Sequence, residues 1–139
     1  MRRLILIVPV LLTAGLLAAG CADSTTTTLT TPTVTSTTTT FTGVLKLGGA
    51  ASYSFAATAA GTVTVTLTAE APDATVPIGL SLGTWNGSAC AIQITNEKAV
   101  QGTILTGLVS GPGLLCVRVA DSAGAIVNAV SYQVDVVHP

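Results

Sequence analysis

The sequence predicts an all-β protein, an antiparallel β-sandwich of jelly-roll type with about eight strands. Three observations predict it. Short segments from residue 41 onward alternate apolar and polar residues with a period of two, which places one set of side chains on a buried face. Clusters of Gly, Pro, Asn and Asp separate those segments at the spacing of strand turns. No segment there has the 3.6-residue apolar period of an amphipathic helix. A barrel is the alternative closure of the same strands.

The segments follow in order. Residues 41–47 (FTGVLKL) form the first candidate strand. Ser52-Tyr53-Ser54-Phe55 alternates with both aromatics inward. Thr62-Val63-Thr64-Val65-Thr66-Leu67-Thr68 alternates strictly, so Val63, Val65 and Leu67 share one face and the threonines the other. Residues 77–83, 89–95 and 102–109 are further candidates. Leu115, Val117 and Val119 alternate with Cys116 and Arg118, and Tyr132, Val134 and Val136 alternate near the end. The breaks are Gly48-Gly49, Ala60-Gly61, Asn86-Gly87, Gly111-Pro112-Gly113 and Asp121-Ser122-Ala123-Gly124. Asn86-Gly87 is the clearest, because both residues tolerate the positive φ of a tight hairpin.

Before this region the chain has a different character. Residues 24–40 read STTTTLTTPTVTSTTTT, twelve threonines in seventeen positions, with no apolar period and nothing to bury. This is a low-complexity linker, kept extended by β-branched residues and Pro32. Further upstream, Met1-Arg2-Arg3 is a short positive region, and an apolar run from Leu4 to Leu17 follows, broken only by Pro9, Thr13 and Gly15. Small residues then lead to Cys21. That order is the order of a secretory signal, and the run is short for a transmembrane helix. Arg2-Arg3 suggests a twin-arginine signal, but the rest of that motif is absent.

Leu17-Ala18-Ala19-Gly20-Cys21 resembles the lipobox of bacterial lipoproteins. The resemblance implies cleavage before Cys21, acylation of that cysteine and anchoring in a membrane by two or three acyl chains. One chain alone holds only marginally. The family prefers Leu three positions before the cysteine, where this chain has Ala18. Because Ala22 rather than Asp follows the cysteine, outer-membrane delivery is expected. The domains are therefore expected at 1–20 (signal), 21–40 (lipidated N-terminus and linker) and 41–139 (sandwich).

Composition narrows the function. Only 8% of residues are charged, so solubility must come from hydroxyl groups. After residue 20 the basic residues are Lys46, Lys98 and Arg118 against six acidic ones, a formal charge of −3. With no basic patch, nucleic acid is excluded as a partner. Three cysteines are an odd count for an exported chain. If Cys21 is lipidated, Cys90 and Cys116 remain to pair in an oxidising compartment. Two cysteines with no nearby histidine do not make a metal site.

Candidate chemistry is sparse. His138, the only histidine, is read as a strand-end polar residue. Glu70 and Asp73 flank Pro72 and are read as part of a solvated loop, with a bound cation as the alternative. No glycine loop of the phosphate-cradling kind is present. Trp85, in Gly83-Thr84-Trp85-Asn86-Gly87, is the side chain that could stack on a ligand such as a sugar ring, with Asn86 beside it. The alternative is that Trp85 folds back over one end of the sandwich.

The region 41–139 also resembles the bacterial pre-peptidase C-terminal domain, a jelly-roll-like sandwich of secreted proteins. The resemblance rests on Phe41-Thr42-Gly43-Val44-Leu45, Tyr53-Ser54-Phe55, Gly61-Thr62-Val63-Thr64-Val65-Thr66-Leu67, Gly113-Leu114-Leu115-Cys116-Val117-Arg118-Val119 and Tyr132-Gln133-Val134-Asp135-Val136. It implies a non-catalytic module without a cofactor. Related collagen-binding modules bind calcium, but the acidic cluster they use is missing here. The expected function is thus a membrane-anchored envelope lipoprotein presenting a binding or structural module, with a protein or polysaccharide ligand. A subunit that self-associates through strand edges and a small secreted hydrolase are the alternatives.

Overall fold

The computed structural model describes residues 33–139. The expectations for the signal, the lipobox and Cys21 lie outside the described residues. Eight strands make up the fold: β1 (Thr37–Leu45), β2 (Ala50–Ala57), β3 (Gly61–Ala71), β4 (Ile78–Trp85), β5 (Cys90–Ala99), β6 (Ile104–Val109), β7 (Gly113–Ala120) and β8 (Val130–His138). They form two four-stranded sheets, ordered β1-β8-β3-β6 and β2-β7-β4-β5. Every pairing is antiparallel. Successive strands mostly alternate between sheets, which is the winding of a jelly roll. The structure therefore has the sandwich the alternation predicts, not a single closed barrel.

The core is built from the alternating residues. Val63, Val65 and Leu67 of β3 are fully buried, as are Val134 and Val136 of β8, facing Leu80 of β4 and Val117 and Val119 of β7. Full burial of one such side chain contributes roughly 1.5–3 kcal/mol. The threonines between the β3 valines point to the other face and stay partly or fully exposed.

Two local features depart from the simple pattern. β1 begins at Thr37, inside the tract read as linker. Thr37 to Thr40 pair with His138 to Asp135 of β8. A backbone ladder needs no apolar period, so the threonine run carries no sign of it. The Thr40 hydroxyl adds a bond to Asp135 Oδ1 at 2.7 Å. The β4–β5 connection is also wider than a two-residue hairpin, spanning residues 86–89. Gly87 has φ +99. Asn86 organises the loop instead: its Oδ1 accepts from the N–H of Ser88 at 3.0 Å and of Ala89 at 2.8 Å.

Candidate functional site

Cys90 and Cys116 form a disulfide, with Cα atoms 5.7 Å apart. Cys90 opens β5 and Cys116 lies on β7, the two neighbours of β4. Strands two apart in a flat sheet lie about 9.5 Å from each other. The start of β5, paired with β4 at Thr84 and Trp85, therefore folds toward the outer face of β4. Gly83 makes this possible. Inward Leu80 and Leu82 place Gly83 on the outer face, and a Cβ there would sit 2.7 Å from the Ala91 carbonyl carbon and 2.9 Å from Ile92 Cα. The ladder skips a residue at the same point, between Leu82 and Gly83.

Trp85 ends β4, in register with Cys90. It is half-buried and outside the hydrophobic core cluster, so it does not plug the interior. Asn86 directs its carboxamide oxygen into its own loop, where the Ser88 hydroxyl adds a third bond at 3.1 Å.

Next to this corner, between the edges of the two sheets at β5 and β6, lies an apolar cleft of about 310 Å³. Leu82 and Leu115 form its inner wall, and Ile94, Leu108, Pro112 and Leu114 its rim. The wall runs through Thr84, one residue from Trp85. No charged side chain lines it. Gly107 sets its depth, because a Cβ there would lie 2.8 Å from Leu82 Cδ2. The cleft was not legible in the sequence, since it depends on which strands fall at the sheet edges.

The titratable candidates part company. Asp73 is exposed in the β3–β4 loop, and its Oδ1 accepts from the Thr75 hydroxyl at 2.7 Å and the Thr75 N–H at 2.9 Å. Glu70 is not in that solvated loop; this corrects the sequence reading. It lies on β3, 6% exposed, and neither carboxylate oxygen has a hydrogen-bond partner among the described residues. The cause is a register shift between Leu67 and Ala69. Continued alternation from Val63, Val65 and Leu67 would turn Ala69 inward and Glu70 outward. The irregularity at Thr68 inverts the phase, leaving Ala69 exposed and Glu70 buried beside Tyr132, its register partner. Burial pushes the Glu70 carboxyl up to about 7, with the Asp73 charge adding in the same direction and the nearby Gln101 backbone opposing it.

His138 ends β8 and is buried, its ring centroid 5.0 Å from that of Phe55. Its Nε2 lies 3.0 Å from Thr39 Oγ1. Its Nδ1 lies 3.4 Å from the Pro139 oxygen, and among the described residues no Asp or Glu side chain hydrogen-bonds to this ring to orient it as a general base. No three His, Cys, Asp or Glu side chains come together as a metal group among the described residues.

Fold and site together define a class: a disulfide-braced jelly-roll sandwich with an uncharged apolar cleft at one corner. No family model matches the chain, and no curated protein does.

Proposed function

We propose that the chain is a bacterial envelope lipoprotein, anchored through Cys21, whose sandwich is a non-catalytic module for an uncharged polymer, a polysaccharide or a protein segment. The observation that carries this reading is the Cys90–Cys116 disulfide. It is the pairing expected in an oxidising compartment, and it accounts for two of three cysteines, in keeping with a separate role for Cys21. The resemblance to the pre-peptidase C-terminal domain supports the non-catalytic part. The cleft supports the binding part, since it offers apolar walls and backbone groups but no charge.

The test has two arms. Labelling of growing cells with a fatty acid compares the chain with its C21S variant; the reading expects label on the first, in the membrane fraction, and none on the second. Co-sedimentation with insoluble cell-wall polysaccharide then compares the protein with W85A and L114D. Retention that falls at least fivefold in either variant supports the corner as the site. Equal retention of all three rules the corner out.

A further inference from the structure

We infer that two copies of the chain pair through the outer edge of β6, on a two-fold axis at Thr106. This goes beyond the polymer-binding reading and does not depend on it. β6 ends its sheet, and among the described residues no strand pairs with its outer side. Leu67 donates its N–H to the Thr103 carbonyl at 3.0 Å, so Thr103 faces β3. Antiparallel alternation then turns Leu105, Gly107 and Val109 toward β3 and gives the free edge the N–H and C=O groups of Ile104, Thr106 and Leu108.

Those three residues also expose their side chains. Ile104 is 59% exposed and Leu108 is 85% exposed. Edges of natural sheets are usually protected by charge, proline or a bulge. β6, with sequence ILTGLV, has no charge and no proline, and its ladder to β3 runs without a register shift. Three other strands lie at sheet edges; β2 is also uncharged and free of proline, but its exposed residues, Ala50, Ser52, Ser54 and Ala56, are small and offer no large apolar side chain. β5 carries Glu97 and Lys98. On β1, the Tyr53 hydroxyl already occupies the Thr42 carbonyl at 3.1 Å.

The occupant follows from the pattern. The free-edge residues read apolar–Thr–apolar, which is the same in both directions. Antiparallel pairing about Thr106 sets Thr106 against its own copy and Ile104 against Leu108 of the second chain, on one face and at two equivalent places. That is the self-complementarity a two-fold interface requires. It also joins two four-stranded sheets into one of eight strands.

The geometry supplies the test. Residues exchanging both hydrogen bonds in an antiparallel pair have Cα atoms about 5.5 Å apart, inside the range a disulfide spans. T106C is therefore introduced into the full chain in a C21S background, oxidised mildly at high protein concentration and run on a non-reducing gel. V44C, at an exposed position of β1, is the control. The expected result is a species of twice the chain mass from T106C, at least tenfold stronger than from V44C, and lost when L108D is added. L108D sits at an exposed site, and retention of the Cys90–Cys116 bond checks that each variant is folded. No dimer from T106C, equal dimer from V44C, a T106C dimer unaffected by L108D, or a cross-link of a different mass would each overturn the inference.

Discussion

The hydroxyl of Tyr132 donates to that of Tyr53 across 2.8 Å, joining β8 of one sheet to β2 of the other. Tyr53 passes the chain on by donating to the Thr42 carbonyl at 3.1 Å and stacks on Phe41 with ring centroids 4.9 Å apart. Burial holds the Tyr132 phenol well above its ordinary range, and donation to Tyr53 adds to this. Gly43 leaves the space: a Cβ there would sit 2.6 Å from Tyr53 Oη and 2.7 Å from Tyr132 Cζ. G43A is expected to cost about 2–3 kcal/mol, because both phenols must move and the backbone beside them is fixed. Y132F, which removes one hydroxyl, is expected to cost about 1 kcal/mol. Urea unfolding measures both, and a G43A midpoint equal to that of the parent would refute the packing argument.

The disulfide makes a second prediction. It joins residues 26 positions apart. A loop of that size restrains the unfolded chain by about 3.5 kcal/mol in the chain-entropy account. The double variant C90A/C116A is expected to lose about that much yet to keep its strands, since the buried residues of β3, β4, β7 and β8 do not depend on the bridge. Identical urea midpoints for the oxidised and reduced protein would contradict the assignment of a stabilising role.

Glu70 sets an upper limit on stable pH. Its carboxyl is raised from 4.5 to about 7 in the folded protein, so the folded state holds the proton more tightly than the unfolded chain does. The contribution is complete below the unfolded value, near 4.5, and is lost as pH rises through about 7. After discounting for partial solvent screening, the loss is expected to be about 2 kcal/mol. E70Q removes the titration and should be the more stable protein at pH 8.5, with little difference at pH 4. Parallel stability curves for the two proteins across that range would refute the account of Glu70.

Asp121 works in the opposite sense. The Gly48 N–H donates to its Oδ2 at 2.9 Å, and the Ala125 N–H to its Oδ1 at 2.8 Å. The Gly48 bond is the main reason its carboxyl lies below the usual range. Its stabilisation is present above the ordinary aspartate value and lost as pH falls through the depressed one. D121N is expected to destabilise at pH 7 and to narrow the gap to the parent below pH 3. A D121N protein as stable as the parent at pH 7 would show that these bonds do not brace the β1–β2 turn.

Much of the fold was legible because side-chain alternation and burial have the same cause. Val63, Val65 and Leu67 could be assigned to the core from spacing alone; β2, β3, β7 and β8 were visible as alternating runs, and the other four strands only as candidate segments between turn signals, β4 and β5 lacking a period-two burial pattern. The misses have a shared cause too. Glu70 is buried through an irregularity at Thr68, and no residue type near it marks where a ladder skips. Thr37–Thr40 joined a strand through backbone bonds that leave no mark in composition. The Asn86-Gly87 pair marked a turn but not its length, which Asn86 fixes through its own side chain. The cleft and the open β6 edge depend on strand order across the sheets, a long-range property that local pattern does not carry.

The central claim is that this sandwich is held at a membrane through Cys21, and its most direct test is the intact mass of the chain extracted from the membrane of a bacterial host. The account predicts a polypeptide that begins at Cys21, carries two or three acyl chains and contains one disulfide, with C21S neither acylated nor cleaved at that point. A chain beginning elsewhere, or one beginning at Cys21 with an unmodified thiol, would contradict it.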